Sequence, residues 1–306
     1  MNAKLGLIAL SAMAAGWLGG FADTTPELNA PTQTAPPVIE EQSAEATPEP
    51  VSTPAIRSTT IPSAGLSNFT GYDIDTDALR AEPLALTLPA EGPQILIIHT
   101  HSCEAYTMEI GAEYEPSGDW RTTEAAQSVV AVGEALKAGL EQYGLRVLHD
   151  TALYDWPSYS GAYARSGEAV ERYLAAYPDI AVVIDLHRDA IGDEETIYKT
   201  VANTDGAAMA QLMLVVGSDQ NLSHPDWREN LKLALALQDA ALTRCDTLMR
   251  PVDLSSCRYN QQLTRGSLIL EAGTCGNTLA EAEAAVECFA ETAGPLLASL
   301  VEEGAA

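Results

Sequence analysis

The chain has 306 residues, 46% of them hydrophobic, enough for one large domain or two small ones with a real core. Its formal net charge is −27, with only 16 Lys and Arg against 43 Asp and Glu. That balance argues against nucleic acid or an anionic lipid surface as the ligand, because phosphate groups are bound mainly through basic side chains. An uncharged or cationic ligand fits better.

At the N-terminus, Lys4 precedes an uncharged apolar run from Leu5 to Ala22. This is the pattern of a basic n-region and an apolar h-region, and Gly20-Phe21-Ala22 has the small-x-small form of a cleavage site. The run is about the minimum that spans a bilayer. Residues 1–22 therefore read as a signal peptide or an uncleaved membrane anchor, and either places the rest of the chain outside the cytoplasm. A buried core helix is the weaker alternative. Residues 23–67 are rich in Pro, Thr, Ala and Glu, and no aromatic occurs between Phe21 and Phe69. Such a segment buries too little apolar surface to offset its ordering entropy, so it is expected to be a disordered tether. The stretch from 68 to 90 is transitional, and residues 68–306 read as one folded domain.

From about residue 93, strands and helices alternate. Ile95 to Ile98 is a short apolar run, the mark of a buried strand. Glu124 to Tyr143 is predicted helical, with Val129, Val132, Leu136, Leu140 and Tyr143 at helical spacing and Gly144 ending it. Leu145 to Leu148 follows as a strand, then a helix from Gly161 to Tyr177 and a strongly apolar strand from Ile180 to Leu186. Further elements are a strand at Leu212 to Val216, a helix from Trp227 to about Thr243, a strand at Ser267 to Leu270 and a last helix from Leu279 to about Glu302. This order predicts an α/β fold with a mostly parallel sheet flanked by helices. In such sheets functional groups gather beyond the carboxyl ends of the strands.

Polar residues of one chemical kind stand at those ends. The first strand runs into His99-Thr100-His101, a later one into His187, and the strand at 267–270 into Glu271. Glu124 opens the helix after the first strand. A lone histidine there is more often a strand cap, and a lone Glu124 more often a helix N-terminal carboxylate facing the macrodipole. Taken together, His99 or His101, His187 and Glu124 form a His/His/carboxylate set suited to catalytic zinc, which leaves one position for water. Glu271 is then placed to handle the proton of that water. His149, followed by a polar loop, reads as structural. His224, in His-Pro-Asp-Trp, reads either as a helix-start residue or as part of a groove. The five cysteines, Cys103, Cys245, Cys257, Cys275 and Cys288, include no CxxC pair. They read as small buried residues, with one disulfide among the last four as the alternative. Nothing supports Cys275 as a nucleophile, and no G-x-S-x-G elbow is present.

Several short motifs share an order and a register with one family. His99-Thr100-His101-Ser102-Cys103-Glu104-Ala105-Tyr106, Arg121-Thr122-Thr123-Glu124, His149-Asp150, Tyr154-Asp155-Trp156-Pro157-Ser158-Tyr159, Asp185-Leu186-His187-Arg188-Asp189, His224-Pro225-Asp226-Trp227, Arg258-Tyr259-Asn260-Gln261 and Leu270-Glu271-Ala272-Gly273-Thr274-Cys275 cover most of residues 93 to 280. Together they resemble the stage II sporulation protein P family. The resemblance implies a membrane-anchored, extracytoplasmic cell-wall hydrolase with a fold like that of the zinc N-acetylmuramoyl-L-alanine amidases, active in septal wall remodelling during engulfment. It implies peptidoglycan as substrate, cut at the amide between muramic acid and the stem peptide and also at peptide cross-links. It further implies zinc as cofactor and stage II sporulation proteins D and M as partners. By the same resemblance the zinc ligands are His101, Glu124 and His187, with His99 as the alternative to His101. Glu271 is the general base, Arg188 helps to stabilise the oxyanion, and Arg188 and Glu104 orient ligands or substrate. A zinc peptidase that cuts only stem peptides or cross-bridges needs the same groups. A non-catalytic wall-binding module would need none of them.

Overall fold

The computed structural model describes residues 54–302 apart from 64, 112, 204, 205 and 207. The expected signal or anchor segment at 1–22 and residues 23–53 of the expected tether lie outside them. The strands in chain order are β1 (Ala55–Thr59), β2 (Leu66–Asn68), β3 (Ile95–Ile98), β4 (Val147–His149), β5 (Val182–Asp189), β6 (Thr196–Ala202), β7 (Met209–Ala210), β8 (Leu212–Gly217), β9 (Val252–Ser255) and β10 (Gly266–Thr274). The helices are α1 (Thr76–Ala81), α2 (Val129–Glu141), α3 (Ala162–Ala176), α4 (Trp227–Arg244) and α5 (Leu279–Ala298), with short 3-10 turns at Ala125–Gln127 and Gln261–Leu263.

The main sheet has the order β2-β9-β8-β10-β5-β3-β4. Its pairings are parallel except that between β8 and β10, so the sheet is mostly parallel as the alternation of elements predicts. The central strands are apolar on both faces because both faces are covered. Ile95, Ile97, Ile184, Leu186, Leu268 and Leu270 pack on one side with residues of α2, α4 and α5, among them Leu136, Leu235 and Phe289. Leu96, Ile98 and Val183 face the other way, onto Ala169 and Val170 of α3. Each such side chain contributes roughly 1.5–3 kcal/mol by leaving water.

The structure departs from the sequence reading in ways that bear on the site. Helix α2 starts at Val129 and not at Glu124, because the Ser128 hydroxyl accepts the Val130 N–H at 3.2 Å and caps the helix there. Strands β5 and β10 run on to Asp189 and Thr274, so His187 and Glu271 lie within strands instead of after them. Strand β1, inside the stretch expected to be an open tether, pairs in parallel with β6, which pairs in turn with β7. All but one of its side chains are exposed. Backbone hydrogen bonds hold such an edge strand, and composition does not register them. The five cysteines are all unpaired thiols, three of them buried. Among the described residues no helix is long and apolar enough to cross a membrane.

Helix α2 lies so close to β3 and β4 that only glycine fits at one position. A Cβ on Gly133 would lie 2.6 Å from His99 Nε2 and 2.7 Å from His149 Nε2. In an exposed helix Gly→Ala stabilises by about 1 kcal/mol. At Gly133 the sign should reverse, because the histidine pair is held from several sides and cannot withdraw. Gly133→Ala is expected to lower stability by about 1–3 kcal/mol in denaturant titration. A stability equal to or above wild type would show that the pair yields.

Candidate metal centre

The chain leaving β3 makes a tight turn in which the Glu104 N–H donates to the His101 carbonyl at 3.0 Å. The turn is held from below by Asp155, whose carboxylate accepts from the Ser102 hydroxyl and the Cys103 N–H, each at 3.1 Å, and from the Arg121 guanidinium. It is held from above by the Val129 N–H, which donates to the Glu104 carbonyl at 2.9 Å. The consequence is that the side chains of His101 and Glu104 share one side of the turn. Glu104 Oε1 lies 3.5 Å from His101 Nδ1, and its Oε2 lies 3.5 Å from His187 Nδ1. The two imidazoles meet edge to face with centroids 5.1 Å apart.

His187 arrives from β5. Its Nε2 stands 2.9 Å from Asp185 Oδ1, near enough for an ion pair but off the line of a hydrogen bond. Asp185 is fixed in turn by the Thr100 N–H at 2.7 Å and the Thr100 hydroxyl at 2.6 Å. Glu271 is the direct parallel neighbour of His187 in the β5–β10 ladder. Adjacent strands lie about 4.8 Å apart, so the two side chains emerge side by side. Glu271 is 8% exposed, and its Oε2 has no hydrogen-bond partner. Burial pushes its carboxyl up to about 8, with Asp189 and Glu104 adding to the effect against His187. Burial also pushes Glu104 up, but Arg188 and the two imidazoles outweigh it and hold that carboxyl well below its ordinary range.

His101, Glu104 and His187 offer ligand atoms that all lie within 4.8 Å of one another, and all three residues are buried. Zinc holds such donors at about 2.1 Å, which sets neighbouring donors of a tetrahedral site about 3.4 Å apart. Each Glu104 oxygen stands 3.5 Å from one imidazole nitrogen, close to that spacing, and the whole set lies within 4.8 Å. Nδ1 of His101 and Nδ1 of His187 are buried without a hydrogen bond, a costly state that a metal bond would relieve. The residues present therefore fit a divalent ion of the zinc type.

The expected ligand Glu124 stands elsewhere. It is exposed, it precedes the 3-10 turn and not the helix, and its carboxylate accepts the Glu115 N–H at 2.8 Å. Glu104, expected only to orient ligands or substrate, occupies the place between the imidazoles. A signal for it was available: His101 and Glu104 are three apart just after a buried strand, and in a tight turn that spacing puts both on one side. His99, the alternative to His101, has both ring nitrogens engaged. Nδ1 lies 2.8 Å from the Leu186 carbonyl and Nε2 lies 2.9 Å from His149 Nε2, while His149 Nδ1 is 3.0 Å from Glu134. Burial, with His149 beside it, pushes His99 down to about 3. His224 is fully buried at the start of α4 and lines no groove.

Arg188 lies beside the centre, where its backbone and side chain both reach the segment that carries Glu104. Its Nε donates to the Ala105 carbonyl and its Nη2 to the Trp120 carbonyl, both at 3.0 Å, and its backbone N–H donates to Glu104 at 3.1 Å. It ties the 104–121 loop to β5. The sequence reading gave no role to Tyr159 and Tyr163, which flank His101: Tyr159 stacks on it at 4.5 Å, and Tyr163 meets it edge-on at 5.5 Å.

A model of the stage II sporulation protein P family matches residues 26–293. Stage II sporulation protein P of Bacillus subtilis (strain 168) is 26% identical over 243 residues, which cover 74% of this chain and 58% of that protein. The chain thus spans somewhat more than half the length of that relative. Among solved structures, the N-acetylmuramoyl-L-alanine amidase AmiC2 of Nostoc punctiforme is similar over 68% of this chain and 99% of its own, at 14% identity and a TM-score of 0.39. The CwlD amidase from Clostridioides difficile, solved in complex with the GerS lipoprotein, is similar over 67% of this chain and 95% of its own, at 12% identity and a TM-score of 0.40. With the family match extending over most of its length, the chain belongs to the stage II sporulation protein P family.

Proposed function

We propose that this chain is a zinc-dependent peptidoglycan hydrolase that acts outside the cytoplasm and cleaves the amide between muramic acid and L-alanine. One observation carries the reading: Glu104 lies between the imidazoles of His101 and His187, with the partnerless carboxyl of Glu271 beside His187. Membership of the family supports the substrate, and the uncharged run from Leu5 to Ala22 supports attachment to, or export across, a membrane.

His101, Glu104 and His187 would hold the ion. When bound, zinc lowers the pKa of a water molecule to about 7 and polarises a carbonyl oxygen. The remaining work belongs to side chains of the chain. Glu271 takes the proton of the attacking water at its partnerless Oε2 and returns it to the leaving L-alanine nitrogen. Asp185 orients the His187 ring from the side facing away from Glu104. Arg188 keeps Glu104 in place through its backbone N–H and keeps the neighbouring loop in place through its guanidinium. The raised pKa of Glu271 leaves it protonated near neutrality, and a cation held by its neighbours would bring it down into the range a general base needs.

Two tests follow. Glu104→Ala should lose zinc on elemental analysis of the purified chain, while Glu124→Ala should retain about one ion per chain; the opposite pattern would restore Glu124 as the ligand. Glu271→Gln should keep its zinc yet release stem peptide from sacculi roughly a hundred- to ten-thousand-fold more slowly. Mass spectrometry of the wild-type digest should show L-alanyl N-termini and free muramic lactyl groups. Cut peptides with every lactyl amide intact would make the chain a peptidase.

A further inference from the structure

One aromatic side chain at the metal centre is exposed and yet rigidly held. The Tyr159 ring lies against His101 at 4.5 Å, with 21° between the planes, and Tyr159 is still 51% exposed. The guanidinium of Arg121 lies 5.2 Å from the same ring, and Arg121 is anchored on the buried carboxylate of Asp155. The loop beneath Tyr159 is clamped by Arg165 from the first turn of α3. Its Nε donates to the Tyr154 carbonyl at 2.6 Å, its Nη1 to Ser160 at 3.0 Å and its Nη2 to Ser158 at 2.5 Å. These three charge-assisted bonds are each stronger than a neutral one and fix the loop on the helix. They remove in advance the ordering cost that a binding residue would otherwise incur.

We propose that Tyr159 forms a sugar subsite, in which the uncovered part of its ring packs against the muramic acid pyranose on the acyl side of the scissile amide. The inference rests on the amidase reading above. The lactyl arm places only two atoms between the scissile carbonyl carbon and the sugar ring. A substrate whose carbonyl meets the His101–Glu104–His187 group must therefore lay its sugar within contact distance of whatever borders that group. Tyr159 borders it directly, through His101. A half-exposed phenol suits a pyranose, since its ring carbons meet the apolar C–H face and its hydroxyl meets the ring hydroxyls. The stem peptide leaves from the nitrogen side of the same bond, so contact with the peptide is the competing outcome.

The test uses the zinc-loaded full chain and two soluble substrates with the same stem peptide, one bearing N-acetylmuramic acid and the other only its D-lactoyl group. Wild type is expected to prefer the sugar-bearing substrate in kcat/KM by roughly tenfold, mainly through KM. Tyr159→Ala should bring the ratio of the two close to one, and Tyr159→Phe should restore most of it. Stem-free glycan strands should bind the metal-free Tyr159→Ala chain roughly three- to tenfold more weakly than metal-free wild type. An equal fall on both substrates in Tyr159→Ala, leaving the ratio intact, would overturn the subsite and make Tyr159 a support for His101 or a contact for the peptide. A wild-type chain that released no L-alanyl peptide from either substrate would overturn the amidase reading and the subsite with it.

Discussion

In-register parallel pairing of β5 with β10 sets His187 beside Glu271 at the centre of the sheet. The ladder is in register from Gly266–Val182 to Glu271–His187 and shifts only beyond that pair, so neither side chain can drift from the other without breaking the sheet. Both strands are buried on both faces, which fixes their register, since a slip of one residue would turn Ile184, Leu186, Leu268 and Leu270 away from the helices that cover them. The same ladder decides that a ligand and a proton carrier stand side by side. The turn at His101–Glu104 then has only to reach the sheet from one side, and Asp155 and Arg188 hold it there.

Charge explains why such an arrangement exists at all. Glu104, Asp185 and Glu271 are each under a tenth exposed, close to His101 Nδ1 and to both ring nitrogens of His187, which are buried without hydrogen bonds. Isolated buried carboxylates are expensive; here Arg188 acts on Glu104, and Asp185 and Glu104 outweigh burial to hold His187 well above its ordinary range. Burial raises Glu271 while Arg188 and the histidines depress Glu104, so neighbouring carboxyls are driven apart in acidity. That separation is a recurrent mark of acid–base sites, where one carboxyl stays charged as a ligand and the other is poised to exchange a proton. A divalent cation is the simplest group that satisfies the nitrogens and the negative charge together.

Much of this was legible in the sequence. The apolar runs at 95–98, 180–186 and 267–270 are strands because they are buried on both faces, and the alternation with helices fixed the parallel sheet. His101 and His187 stood out because a polar residue at the end of such a run needs a partner. The carboxylate between them was harder to find. Glu124 reads as the ligand because a helix is expected to begin there and the resemblance puts a ligand at that place, but Ser128 caps the helix four residues later and leaves Glu124 in solvent. Glu104 was hidden in a run of small and aromatic residues, and its position depends on a turn closed by Asp155 and on Arg188, neither of which is near it in the chain. Strand β1 escaped for another reason: its side chains are exposed, so the apolar periodicity that marks a buried strand is missing. Tyr159 lies in one of the motifs that carry the resemblance, but its place at the centre shows only in its stack on His101, far away in the sequence.

Diffraction at the zinc edge from crystals of the chain grown with zinc tests the account most directly. It should give one anomalous peak per chain, about 2 Å from Nδ1 of His101, Nδ1 of His187 and a carboxylate oxygen of Glu104, with Glu271 near the open side. A peak bound by other residues, or crystals grown in zinc with no peak between these imidazoles, would contradict it.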